Sequence, residues 1–196
     1  PKYKNLAIEK LRTYHSRQGD TVEDYFALAP YDKVYCSSIF TFTKKHTIPQ
    51  DAICGGSGFD LITELPSDIE EVEPHLNFGF TTRGCIRKCP FCIVHIKEPI
   101  LKVVICYLKQ LWDGKSKLIT LYDNNILALP EHFESICKQS IELNLTLDFN
   151  QGLDHRLLTP EIVKLLRSIS HKEYHFAFDS PAYYHSANKA IDMLQN

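Results

Sequence analysis

The sequence predicts an α/β protein in two parts: a partial (β/α) TIM-like barrel over residues 74–196, preceded by a small Rossmann-like α/β domain over residues 1–73. Two observations lead there. After residue 76, strand-like and helix-like segments alternate four times, a rhythm that implies a parallel sheet with helical crossovers. Before residue 74, a helix, a strand and a glycine turn follow one another without that rhythm. The composition permits both parts. With 44% hydrophobic residues in a chain of 196 there is enough apolar material for a core, and the length suits one large domain or two small ones.

In the first part, residues 5–18 read as a helix, because Leu6, Ala7, Leu11 and Tyr14 recur at helical spacing and Gly19 stands where a helix stops. Residues 33–40 are aromatic and β-branched, hence a strand. Residues 54–58, CGGSG, read as a flexible turn, and 65–73 as a short acidic linker. In the second part, 78–82 (FGFTT) is the first strand and 99–112 the first helix. A strand at 118–122 (LITLY) leads to a helix at 130–143 that starts on Pro130. A strand at 145–149 (LTLDF) leads to a helix at 160–169, with Thr159 as its cap and Pro160 in its first position. A strand at 173–178 (EYHFAF) and a helix at 183–194 complete the series. Crossovers of one hand curl such a sheet toward a barrel.

The formal net charge is −2 and no long basic block is present, so a broad nucleic-acid surface is not indicated. No apolar run approaches the roughly 18–20 residues that cross a bilayer, and no secretory signal pattern opens the sequence. The expectation is a cytoplasmic protein without a membrane partner. The sequence opens on Pro1 rather than Met and reaches Asn196 inside a helical pattern, so it is expected to continue beyond one or both ends.

Seven cysteines is a high count for this length, and three of them fall within eight residues. A disulfide framework spreads its cysteines along a short secreted chain; clustering points instead to metal ligation in a reducing compartment. The stretch is Thr82-Arg83-Gly84-Cys85-Ile86-Arg87-Lys88-Cys89-Pro90-Phe91-Cys92, with the spacing C-x-x-x-C-x-x-C. A tight loop of this kind can aim three thiolates to one side, and thiolates are the usual ligands of iron–sulfur clusters. A 4Fe–4S cluster held by three of them keeps one iron open to a small chelating molecule. Cys36, Cys54, Cys106 and Cys137 sit in apolar surroundings and read as buried free thiols.

The motif resembles that of the radical S-adenosylmethionine (SAM) enzymes, including the aromatic residue just before the third cysteine and the position after the first strand of a β/α series. The resemblance implies that Cys85, Cys89 and Cys92 ligate a 4Fe–4S cluster, that SAM binds its open iron, and that Phe91 packs near the adenine. It further implies reductive cleavage of SAM to a 5′-deoxyadenosyl radical that acts on an unknown substrate. An external electron donor of flavodoxin or ferredoxin type is the implied partner.

In such a barrel, function collects at the C-terminal ends of the strands. Here those ends carry Asp123, Asn124 and Asn125, then Asn150 with Asp154, His155 and Arg156 following, then Asp179. By resemblance, Asp123, Asn124 and Asn125 are candidates for the methionine amino group and Asp179 for the ribose or carboxylate. The sequence has Asp-Asn-Asn where the family commonly carries Gly-Gly-Glu. Arg156 could pair with a carboxylate as a bidentate fork, and Asn150 shares the same face. Each of these polar residues also suits a turn or helix cap. The family core usually has six β/α units and four are legible, so the barrel is expected to be open, extended by further chain, or completed by a partner.

The first part is similar to the cobalamin-binding-type domain that precedes the core in one branch of the family. The similarity lies in residues 5–7 through 19–20, in Tyr31-Asp32-Lys33-Val34, and in Gly55-Gly56 with Leu65-Pro66. The Asp-x-His-x-x-Gly stretch that supplies a cobalt ligand is absent, so the fold is expected with cobalamin not favoured; any cobalamin would bind without that histidine. The rival to the cluster is zinc: His95 lies three positions after Cys92, and Cys85, Cys89, Cys92 and His95 could close a Cys3His tetrahedron in a binding module without catalysis. A barrel that keeps the cluster but has lost turnover is a third expectation.

Overall fold

The computed structural model describes residues 4–44 and 48–195. Pro1, Lys2 and Asn196, on which the expectation of further chain rests, lie outside them. The chain divides into two compact units, residues 1–74 and 75–196.

The first unit opens with α1 (Leu6–Gln18). The Asn5 side chain accepts from the backbone N–H of Ala7 at 3.0 Å, satisfying a donor that the first turn leaves free. Gly19, at φ 90°, ends the helix, and the Asp20 N–H returns to His15 O at 3.1 Å. β1 (Tyr35–Ser37) and β2 (Ile53–Gly55) pair in parallel, with Cys36 opposite Cys54. The strand is therefore shorter than the 33–40 expected, and the start of the glycine turn is itself a strand. Only beyond Gly55 does the chain turn, with Gly56 at φ 91° and the Gly58 N–H bonded to Ser38 O at 2.8 Å. The acidic linker contains α2 (Ser67–Glu70), which buries Ile69; the Lys10 ammonium donates to the Glu70 carbonyl and pairs with its carboxylate.

The second unit holds a four-stranded, all-parallel sheet. Its strands are β3 (Phe78–Gly79), β6 (Leu118–Leu121), β7 (Thr146–Phe149) and β8 (Ser170–His171), side by side in that order. Between β3 and β6 come β4 (Thr82–Arg83), α3 (Val94–Lys97) and β5 (Lys102–Val103), with β4 and β5 antiparallel. α4 (Pro130–Glu142), α5 (Pro160–Ser168) and α6 (Tyr184–Gln195) follow. The core lies between strands and helices: Ile119, Leu121, Leu147 and Phe149 from the sheet meet Phe133 and Ile136 of α4 and Leu166 of α5. On α4, Phe133, Ile136, Cys137 and Ser140 recur at the spacing of one helical face, and all four are buried. Each fully buried aliphatic side chain contributes about 1.5–3 kcal/mol.

Three elements of the second unit differ from expectation. The strand over 78–82 is divided: residues 78–79 join the sheet, whereas 82–83 turn away to pair with 102–103. The helix over 99–112 does not form. Its β-branched residue Val103 lies in β5, and a single 3-10 turn at Leu108–Gln110 buries Leu108, with Leu111 buried just after it. The strand over 173–178 moves forward to 170–171. The register sets Leu147 opposite His171, so β7 ends level with residue 173, and beyond it, among the described residues, a single bridge joins Leu153 to Phe176.

Candidate functional site

The cysteines lie on the segment between β4 and β5. Its two ends are held together by the β4–β5 ladder and by Gly84, whose φ is 84°. A Cβ at Gly84 would collide with the carbonyl oxygen of Ile100, so the chain crosses itself here with room only for glycine. Glu98 adds a third tie: its carboxylate accepts the Gly84 N–H at 3.0 Å and pairs with Arg83 at 2.6 Å. Cys85, Cys89 and Cys92 are all partly buried, and the Cys92 N–H bonds Cys89 O at 3.0 Å in a turn through Pro90 and Phe91.

The end of β6 meets this loop. Asn125 Nδ2 donates to Cys85 Sγ at 3.5 Å and to Asp154 Oδ2 at 3.3 Å, while the Arg87 N–H donates to the same sulfur at 3.3 Å. Hydrogen bonds to ligand sulfurs are among the levers on a cluster's potential. Asn124 Nδ2 reaches Glu98 Oε2 at 3.1 Å. Asp123 is buried, and its Oδ1 accepts from Thr81 Oγ1 at 2.9 Å, from Thr82 Oγ1 at 2.6 Å and from the Thr82 N–H. Burial pushes the Asp123 carboxyl up, and the bonds from Thr82 and Thr81 offset this only in part. His132 shares Thr81 Oγ1 at 3.0 Å, and burial pushes its imidazole down against the opposing charge of Asp123.

Asp154 is the hub on the β7 side. Its buried carboxylate accepts from Arg87 Nε at 2.9 Å and from Arg156 through Nε at 2.6 Å and a second nitrogen at 3.0 Å. Burial alone would raise this carboxyl, but the bonds from Arg156 and Arg87 outweigh it and hold the group below the ordinary range. Asp154 raises the basicity of Arg156 in turn, and the guanidinium lies over the Tyr183 ring, 4.7 Å from its centroid. A cavity of about 320 Å³ opens beside them. Cys89, Phe91, Arg87, Arg156, Asp179 and Tyr183 are among the residues that line it.

No protein-family model, curated protein or solved structure matches this chain.

The structure thus gathers Cys89, Phe91, Arg156 and Asp179 around one cavity, and Cys85 with Asn125 on the Asp154 network. Asp123 and Asn124 are engaged in fastening the loop, although Asp123 Oδ2 and Asn125 Oδ1 are buried with no hydrogen-bond partner. Asn150 is exposed at the end of β7, and among the described residues its side chain joins none of these bonds. Among the described residues, no three His, Cys, Asp or Glu side chains converge on a single metal position. Thiolates that each bind a different iron of a cube need not converge so. Three thiols on one loop, with the guanidiniums of Arg87 and Arg156 beside them, are a donor set and charge environment that fit an anionic cluster.

Sequence reasoning missed Glu98, Arg87 and the role of Asp154. The one available signal was the position of Asp154 after a strand end. Glu98 and Arg87 bond to groups that folding alone brings near.

Proposed function

We propose that this chain is a radical SAM enzyme, with Cys85, Cys89 and Cys92 holding a 4Fe–4S cluster on part of a TIM-like barrel. The observation that carries the reading is the closed loop bearing three thiols in eight residues, next to a cavity lined by Phe91, Arg156 and Asp179. When bound, the cluster and SAM supply one-electron reduction and a 5′-deoxyadenosyl radical. The chain's own residues hold and orient. Asp154 fixes Arg156 and Arg87 so that their charge faces the cavity, where Arg156 suits the carboxylate of the methionine moiety. Asp179 suits the ribose hydroxyls, and Asn125 Oδ1 suits a protonated amine. Phe91, 68% exposed, offers a flat apolar face for an adenine. A reduced electron donor of flavodoxin or ferredoxin type completes the assignment, and a cytoplasmic site of action goes with it.

Among the described residues no helix is long and apolar enough to cross a membrane.

Anaerobic reconstitution with iron and sulfide tests the reading. A brown protein that cleaves SAM after reduction, and loses both properties in Cys89→Ala, is expected. A Cys89→Ala chain with undiminished iron and SAM turnover overturns it. One observation favours a second reading, the zinc-stabilised Cys3His module: His95 Nδ1 is buried without a partner. A colourless chain that retains one zinc, and releases it in His95→Ala, would establish that reading instead.

A further inference from the structure

Glu98 stands at the far end of the cysteine loop and takes no part in the motif. Its Oε2 accepts from the Gly84 N–H at 3.0 Å and from Asn124 Nδ2 at 3.1 Å, and its Oε1 pairs with Arg83 at 2.6 Å. The side chain is only 15% exposed. The three donors come from the two residues that precede Cys85 and from the polar end of β6. One carboxylate therefore joins both ends of the loop to each other and to the strand end that carries Asn125.

The geometry points to Glu98 as a positioning residue for the cluster. It holds the three thiols in a closed loop before iron arrives, so that less ordering entropy opposes ligation. The inference rests on the cluster-bearing reading above. Removing the carboxylate leaves a backbone N–H, an amide and a guanidinium without their acceptor at the base of the loop. Gly84 cannot compensate by settling deeper, because the Ile100 backbone already lies against it. Glutamine keeps an oxygen for Gly84 or Asn124 but gives up the charge that Arg83 pairs with.

The test uses the whole chain as wild type, Glu98→Ala and Glu98→Gln, each reconstituted anaerobically with iron and sulfide. Iron retention under a chelator and the electron paramagnetic resonance of the reduced cluster are then measured. Glu98→Ala is expected to lose iron roughly tenfold faster, in line with other residues that orient metal ligands, and to give a broadened spectrum. Glu98→Gln is expected between the two. Wild-type retention and spectrum in Glu98→Ala overturn the assignment, as does a defect confined to the unfolding midpoint. If Glu98→Ala fails to fold, Glu98→Gln decides: intermediate retention supports the role, and wild-type retention overturns it. A wild-type chain that takes up no iron defeats the functional reading itself, and the positioning role with it.

Discussion

At the scale of single residues, Gly84 and Gly114 make a controlled pair within the second unit. Both have positive φ, 84° and 77°, but a Cβ at Gly114 meets open space while one at Gly84 meets backbone. Gly114→Ala is expected to cost about 1–2 kcal/mol, the left-handed penalty alone. Gly84→Ala should cost clearly more in urea unfolding and should also lower iron uptake; equal costs would mean that the close approach to Ile100 is not real. Cys137 offers a second test. Burial, with a smaller contribution from Glu134, pushes its thiol up to about 12, whereas Cys106 is exposed. Iodoacetamide at neutral pH should therefore alkylate Cys106 and spare Cys137 until the chain unfolds, as mass spectrometry of the modified peptides would show. The three clustered cysteines were legible because their spacing is local. Glu98 and Asp154 were not, because their partners lie far off along the chain: Asn124 is 26 residues from Glu98, and Arg87 is 67 from Asp154.

At the scale of elements, α4 and α5 are legible from the prolines that open them, Pro130 and Pro160, and α5 also from its Thr159 cap. The Thr159 hydroxyl accepts from the Ile162 N–H at 3.3 Å, with Pro160 in the first helical position. Thr159→Ala should cost about 1 kcal/mol. Leu147, fully buried in β7, should cost about 2–5 kcal/mol when truncated to alanine. Ile141→Ala, on the exposed side of α4 at 52%, should fall within about 0.5 kcal/mol of wild type. Urea unfolding of the three variants checks the order, and an Ile141 effect as large as that of Leu147 would contradict the packing described. The segment 99–112 departs from a helix because its β-branched residue Val103 pairs with β4 and only the turn at Leu108–Gln110 is helical. At 173–178 the composition favours a strand, but pairing ends where β7 does, and no local signal announces the length of a neighbour.

At the scale of the whole molecule, pH acts through two partly buried histidines. Burial depresses both His132 and His171. The unfolded chain then binds protons near pH 6.5 more readily than the folded one, so stability present above that pH is lost as pH falls through it. Asp123, pushed up, acts in the opposite sense at its own titration. The unfolding midpoint should drop between pH 7.5 and 5.5, and His132→Gln with His171→Gln should shrink the drop; an unchanged drop would place the acid sensitivity elsewhere. Three of the four parallel strands, β3, β6 and β7, fall within segments whose alternation announces them, whereas β8 lies ahead of its expected segment. Whether the row closes into a barrel is a property of curvature summed over all strands, which no single segment of sequence encodes.

Because the sheet's spatial order repeats its order along the chain, β3, β6, β7, β8, every strand leaving the ribosome meets the edge its predecessor has just finished. Assembly of this unit can keep pace with translation, and a nascent chain stalled beyond α5 should already shield the β6–β7 pair from protease.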